Sequence, residues 1–223
     1  MTRIAVSILS FYFEAKRKKE SNIQMIEHIN SAIKNRKFDI LHLDIGDGRF
    51  IKSKTFTPSI INKLQCKKKR HTHLMVLDYN RYIKDYFHLS DMFIIHNEVL
   101  RHDFQKTINF LKKNNKNVGI SINPDTHVDE IKYIEQVNLI LVMSVYPGLP
   151  GQEFIEHSLR KIRKLKEIRK NKGLKFSIAV DGGINMQNIQ KCIDAGADIL
   201  VMGTGFFKDP HIEETIKEYD QIK

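Results

Sequence analysis

Short apolar, β-branched runs alternate with amphipathic segments along the whole chain. Eight runs have the length and composition of strands: Ile4–Leu9, Ile40–Asp44, His73–Val76, Met92–Ile95, Val118–Ile122, Leu139–Val145, Phe176–Val180 and Ile199–Met202. Runs that are apolar at nearly every position suit strands covered on both faces, as in a parallel sheet. The segments between them carry a helical period. Ile23, Ile26, Ile29 and Ile33 form a stripe in Asn22–Ile33, and Leu159, Ile162, Leu165 and Ile168 form one in Ser158–Lys170. Phe104–Lys113 groups Ile108 with Leu111, and Met186–Ala195 stops at Gly196, a usual helix end. No linker rich in Pro, Gly or Ser interrupts the alternation. Eight strand-helix units in 223 residues predict a closed parallel (β/α)8 barrel, a TIM barrel, spanning residues 1–223 as a single domain. In such a barrel the strand ends and the loops after them converge on one face, where chemistry is expected.

Composition narrows the class. Apolar residues make up 41% of the chain, which excludes a disordered protein, and no apolar run reaches a membrane span of roughly 18–20 residues. Near the N-terminus a six-residue apolar stretch precedes Lys16-Arg17-Lys18-Lys19, the wrong order for a signal peptide, so a cytoplasmic protein is expected. Cys66 and Cys192 stand far apart and outside any paired motif, which leaves neither a zinc ribbon nor a redox pair. The net charge of +11 admits nucleic-acid binding. However, Lys67–Arg70 and the basic run Arg160–Lys172 lack interleaved aromatic platforms, and the second has helical spacing. A solvated basic face that favours small anionic substrates is the expectation.

The strand ends carry chemistry. His42 and Asp44 share one side of the second strand, because residues two apart point the same way. His71 and His73 share a side of the third, and the seventh ends in Val180-Asp181-Gly182-Gly183. Two imidazoles and two carboxylates from three strands suit one divalent ion with open positions, and zinc, manganese, iron or cobalt are all admissible. His71 is open as a ligand, a supporting residue or a spectator. Glycine-rich turns follow the sixth strand (Gly148, Gly151), the seventh (Gly182, Gly183) and the eighth (Gly203-Thr204-Gly205). Loops after strands seven and eight are the usual phosphate site of this fold, and glycines let backbone N–H groups approach an anion. A metal, two carboxylates and a phosphate grip suit proton removal beside a ketone. Asp44 and Asp181 would act on opposite faces of a planar enediolate.

These residues and their spacing resemble the ribulose-phosphate 3-epimerase family. The matching segments include Ser7-Ile8-Leu9, His42-x-Asp44 with Asp47-Gly48-x-Phe50, His73-Leu74-Met75, His96-x-Glu98 and Asn123-Pro124-x-Thr126. They continue with Val142–Val145 before Pro147-Gly148, Gly151-Gln152-x-Phe154, Val180–Ile184, and Ala195–Asp198 with Gly203. The resemblance implies a ribulose-phosphate-binding barrel that interconverts D-ribulose 5-phosphate and D-xylulose 5-phosphate. It implies a metal held by His42, Asp44, His73 and Asp181, with Asp44 accepting and Asp181 donating the proton in one direction. Ser7 and His73 would contact substrate, and Met75 and Met143 would lie near the enediolate. Gly148, Gly151, Gly182, Gly183, Gly203 and Thr204 would line the phosphate end. A homo-oligomer is also implied.

The chain departs from the family pattern at particular points. Val6 and Phe11-Tyr12 replace the usual residues around the first strand, and Lys52-Ser53 replaces a common Pro-Asn. Gly46 stands for a usual Met, His71 for an acid, Tyr146 for a small polar residue, and Pro150 for a Gly that could donate an N–H. Gly46 suggests room for a six-carbon substrate such as D-allulose 6-phosphate. The decarboxylase and aldolase chemistry of related barrels uses Asp-x-Lys-x-x-Asp, and Asp44-Ile45-Gly46-Asp47 lacks the lysine. A non-catalytic barrel that binds a sugar phosphate or nucleic acid is the alternative of another class.

Overall fold

The computed structural model describes residues 1–221. Eight parallel strands close on themselves: β1 (Arg3–Ser7), β2 (Ile40–Gly46), β3 (Lys69–Met75), β4 (Met92–His96), β5 (Asn117–Ile122), β6 (Leu139–Met143), β7 (Ser177–Asp181) and β8 (Ile199–Met202). β1 pairs with both β2 and β8, so the barrel has no free edge. Around it run α1 (Leu9–Lys18), α2 (Asn22–Ile33), α3 (Pro58–Ile61), α4 (Tyr79–Tyr86), α5 (Phe104–Lys113), α6 (Ser158–Asn171), α7 (Ile189–Ala195), α8 (Thr204–Lys208) and α9 (Ile212–Gln221).

Strand alternation divides the apolar residues into two cores. Leu41, Leu43 and Ile45 face outward into the layer shared with the helices, while Ile40 belongs to the smaller core inside the barrel with Ile94, Leu139, Leu141 and Val201. His42 and Asp44 therefore occupy inward positions of β2, where other strands place apolar side chains.

Several sequence expectations shift at their ends. β1 stops at Ser7 rather than Leu9, because Ile8 leaves strand geometry and the Ser7 hydroxyl accepts from Leu9 N at 3.3 Å. β3 begins at Lys69 instead of His73, since its polar first residues pair in register with β2 from Ile40 onward. β6 ends at Met143, where Ser144 turns to donate to the Asp181 and Gly182 carbonyls. In α2 the buried stripe is Met25, Ile26, Ile29 and Ile33, and Ile23 is 62% exposed. α7 begins at Ile189 because Asn188 is tied into the turn before it, accepting from Asn185 N and donating to the Gly183 carbonyl.

Two short 3-10 turns, Val128–Glu130 and Ile134–Gln136, replace the expected helix between β5 and β6. Side chains from elsewhere satisfy that backbone. Lys161 donates to the carbonyls of Asn123, Pro124 and Thr126, and Asn97 bonds Glu130 O and Lys132 N. The basic run over α6 and just past its end also finds acidic neighbours: Lys164 pairs with Asp129, Arg169 with Asp198 and Lys172 with Glu135. Both cysteines are free thiols. Among the described residues no helix is long and apolar enough to cross a membrane.

Candidate active site

β2, β3 and β7 bring four ligand-type side chains to one point. Asp44 Oδ1 lies 3.2 Å from His73 Nδ1 and 3.5 Å from His42 Nε2. Asp181 Oδ2 lies 3.7 Å from His42 Nε2 and 3.9 Å from His73 Nδ1. One atom from each of the four falls within 4.8 Å of all the others. Both ring nitrogens of His42 are buried without a hydrogen-bond partner, an arrangement that costs about 1–3 kcal/mol unless something occupies them. Two imidazole nitrogens and two carboxylate oxygens converging with an unsatisfied Nε2 fit a divalent transition metal, so this buried group could hold one. Ser7 fixes the second oxygen of Asp44, donating to Oδ2 at 2.6 Å.

The surroundings set these groups apart. Burial works against the charge on Asp44, but His42 and His73 outweigh it and hold the carboxyl well below its ordinary range. Burial and the neighbouring Asp44 charge push Asp181 up, and His42 only partly offsets them. Burial opposes protonation of His42, yet Asp44 and Asp181 raise it overall. His73 is lowered to about 4, chiefly by burial.

His71 is not a member of this cluster. It pairs in register with His42 at the level below Asp44. Burial, followed by the charges of His42, Arg3 and Lys69, takes it down to about 3, so it stands neutral.

A cavity opens above the cluster, and its wall contains Asp44, Asp181 and Ser7. Met75 and Met143 line it as buried thioethers, and every glycine singled out for the phosphate end lies on its wall, together with Thr204. His42 and His73 are fully buried and lie off that wall, so His73 faces the carboxylates rather than the open cavity. Leu9 and Gln152, which belong to the matching segments but had no assigned role, lie on the same wall, as does Ser10, which sequence reasoning missed. Gln152 holds the loop after β6 in shape by donating to the carbonyls of Tyr146 (2.7 Å) and Leu149 (2.9 Å). Several of the glycines are sterically required, Gly182 and Gly205 among them. A Cβ on Gly182, whose φ is +119°, would meet Val145 Cγ2 at 2.3 Å, and one on Gly205 would meet the Ile184 carbonyl oxygen at 2.3 Å. Pro150 also lines the cavity, whereas Tyr146 points away and donates to the Asp125 carboxylate.

The expectation that Gly46 leaves room is overturned. A Cβ there would lie 2.4 Å from Ile51 Cδ1 and 2.5 Å from the Ser53 carbonyl oxygen. The same isoleucine comes within 3.0 Å of where Gly148 would carry a Cβ. Ile51 thus fills the space that both glycines vacate, and the loop carrying it is pinned throughout. Asp47 accepts from the amides of Arg49, Phe50 and Leu77, Thr55 bridges Gly46 N and Asp44 O, and Tyr12 donates to Lys54 O.

Behind His73 lies a contact whose geometry the sequence pattern did not reveal. His73 Nε2 is 2.8 Å from His96 Nε2, and His96 Nδ1 is 3.2 Å from Glu98 Oε2. Burial acts against the Glu98 charge, but hydrogen bonds from His96, Thr126 and Asn123 prevail and take the carboxyl down to about 2.

Comparison with known proteins agrees with this geometry. Residues 3–207 match the model of the ribulose-phosphate 3 epimerase family. The chain is 31% identical to the ribulose-phosphate 3-epimerase of Bacillus subtilis over 98% of each chain. It is 33% identical to that of Helicobacter pylori over 99% of this chain and 98% of the relative. Among solved structures, 3-hexulose-6-phosphate synthase from Salmonella typhimurium superposes with a TM-score of 0.65 at 14% identity, covering 99% of this chain and 98% of that one. That likeness is one of fold. With the family model matched over nearly the full length and the relatives aligned end to end, the chain belongs to the ribulose-phosphate 3-epimerase family, a family of isomerases.

Proposed function

We propose that this protein catalyses the metal-dependent 3-epimerisation of D-ribulose 5-phosphate to D-xylulose 5-phosphate, with Asp44 and Asp181 as the two proton-transferring groups. The observation that carries the proposal is the convergence of these carboxylates, from β2 and β7, at the wall of one cavity with two imidazoles beside them. His42, Asp44, His73 and Asp181 would hold the divalent ion, whose bound charge stabilises negative charge developing on the substrate oxygens. Asp44, oriented by Ser7 and kept ionised by its imidazole neighbours, takes the C3 proton. Asp181, which reaches the same cavity wall from β7, returns one to the opposite face and inverts the stereocentre. The reverse reaction exchanges the two roles. Met75 and Met143 keep water from the planar intermediate, and the glycine turns with Thr204 receive the phosphate. In α8 the first intrahelical hydrogen bond is donated by Phe206, which leaves the amides of Thr204 and Gly205 available to an anion.

Ile51 supports the five-carbon substrate, because it occupies the space at Gly46 that suggested a longer one. A cytoplasmic location and a homo-oligomeric state belong to the same proposal. The test is proton NMR in deuterium oxide with metal-loaded protein, first on D-ribulose 5-phosphate and then on D-allulose 6-phosphate. The C3 epimer should accumulate with deuterium at C3, faster for the pentulose phosphate, and Asp181→Asn should abolish this while the barrel stays folded. Near wild-type turnover by that variant with metal bound would refute the two-carboxylate mechanism. A large preference for the hexulose phosphate would refute the substrate assignment.

A further inference from the structure

For His73 to offer the lone pair of Nδ1 to a cation, its single ring proton must sit on Nε2, and that N–H needs an acceptor. The atom 2.8 Å away is Nε2 of the fully buried His96. It accepts only if His96 carries its own proton on Nδ1, which in turn needs an acceptor. Glu98 Oε2 stands there at 3.2 Å. The other carboxylate oxygen of Glu98 is committed, accepting from Asn123 N at 2.8 Å and from the Thr126 hydroxyl. Phe50 packs on the His96 ring at a centroid distance of 4.6 Å, which fixes its plane.

We infer that Glu98 and His96 are positioning residues that set the proton on His73 Nε2 and leave Nδ1 free for the metal. This rests on the reading of His73 as a ligand under Proposed function. Second partners of ligating histidines generally fix tautomer and ring orientation in this way, and here the chain is two imidazoles long.

The arrangement makes a sharp prediction for Glu98→Gln. The backbone N–H of Asn123 can only donate, so it forces the new amide to place its oxygen toward Asn123 and its NH2 toward His96. His96 Nδ1 must then accept, its proton moves to Nε2, and His73 must accept there and carry its proton on Nδ1. That N–H finds Asp44 Oδ1 at 3.2 Å. The variant chain is therefore fully hydrogen-bonded without a cation, whereas the wild-type chain is satisfied when a cation takes Nδ1.

The experiment is calorimetric titration of the full-length metal-free protein with Zn2+, for wild type, Glu98→Gln and Asp44→Asn, together with 15N spectra of the imidazoles in the zinc-loaded wild type. Zinc affinity should fall about 10- to 100-fold in Glu98→Gln, with the metal-free variant still folding cooperatively at a lowered thermal midpoint. The wild-type spectra should show N–H at His73 Nε2 and His96 Nδ1. If wild type binds zinc, Asp44→Asn loses it and Glu98→Gln keeps it at wild-type affinity, this inference alone is overturned. A proton on His96 Nε2 in the loaded wild type overturns it equally, and does so without any variant. Zinc binding that is absent from wild type, or undiminished in Asp44→Asn, overturns the metal site and this inference with it.

Discussion

An alanine at position 46 would set its Cβ 2.4 Å from Ile51 Cδ1, 2.8 Å from Ile51 Cγ1 and 2.5 Å from the Ser53 carbonyl oxygen. Carbon atoms in good contact sit about 3.5–4.0 Å apart, so Gly46→Ala overlaps its neighbours by roughly an ångström. Overpacking of this kind costs about 1–3 kcal/mol. The upper part of that range applies, because Ser53 O is backbone and cannot rotate away. Ile51 is only 6% exposed, and truncating it alone costs about 2–5 kcal/mol as a cavity opens. In the double variant Gly46→Ala/Ile51→Ala the collisions with Cδ1 and Cγ1 disappear and the added methyl occupies part of the vacated space. The double variant should therefore be more stable than the sum of the single changes by about 1–2 kcal/mol, well within what touching residues show. Urea unfolding of the four proteins, followed by circular dichroism, measures this directly. Additivity within about 0.3–0.5 kcal/mol would mean that Ile51 does not fill the space. It would also return Gly46 to its reading as open room for a longer substrate.

Pro150→Gly adds a backbone N–H to the cavity wall and loosens the unfolded chain, which costs about 0.4–1 kcal/mol. The KM for ribulose 5-phosphate should shift several-fold, and an unchanged KM would place Pro150 outside the phosphate grip. Glu98 titrates near 2 in the folded protein against an ordinary 4.5, so its contribution is complete above about pH 4.5 and lost as the pH falls toward 2. Stability should fall less steeply across that window in Glu98→Gln than in wild type, and equal slopes would show that Glu98 does not carry this contribution.

Periodicity and residue type are properties of short stretches, and they carried the reading of the barrel. The alternation of buried runs and helical stripes predicted all eight strands, while His42-x-Asp44 and the acid closing β7 marked the cluster. Helices that are short or lack an aliphatic stripe were not legible. α1 begins at Leu9, two residues past the end of β1, and keeps its aromatic residues only partly buried, and α4 is only eight residues long with a buried stripe, Tyr79, Ile83 and Tyr86, carried mostly by tyrosines. The polar start of β3 was equally silent, because Lys69 and Arg70 are strand residues only through their pairing with β2.

The sequence by itself determined which residue types stand at the strand ends and on which side of each strand they point, since backbone geometry repeats every two residues. It could not say what approaches them from another part of the chain. Gly46 looked like an opening until the loop after β2 folded Ile51 into it. His96 and Glu98 were part of a family pattern without a task until β3 and β4, paired side by side, put one imidazole against the other. Contacts of this kind depend on distances between segments brought together only by barrel closure, so the tertiary structure alone decided the size of the site and the partners behind its ligands.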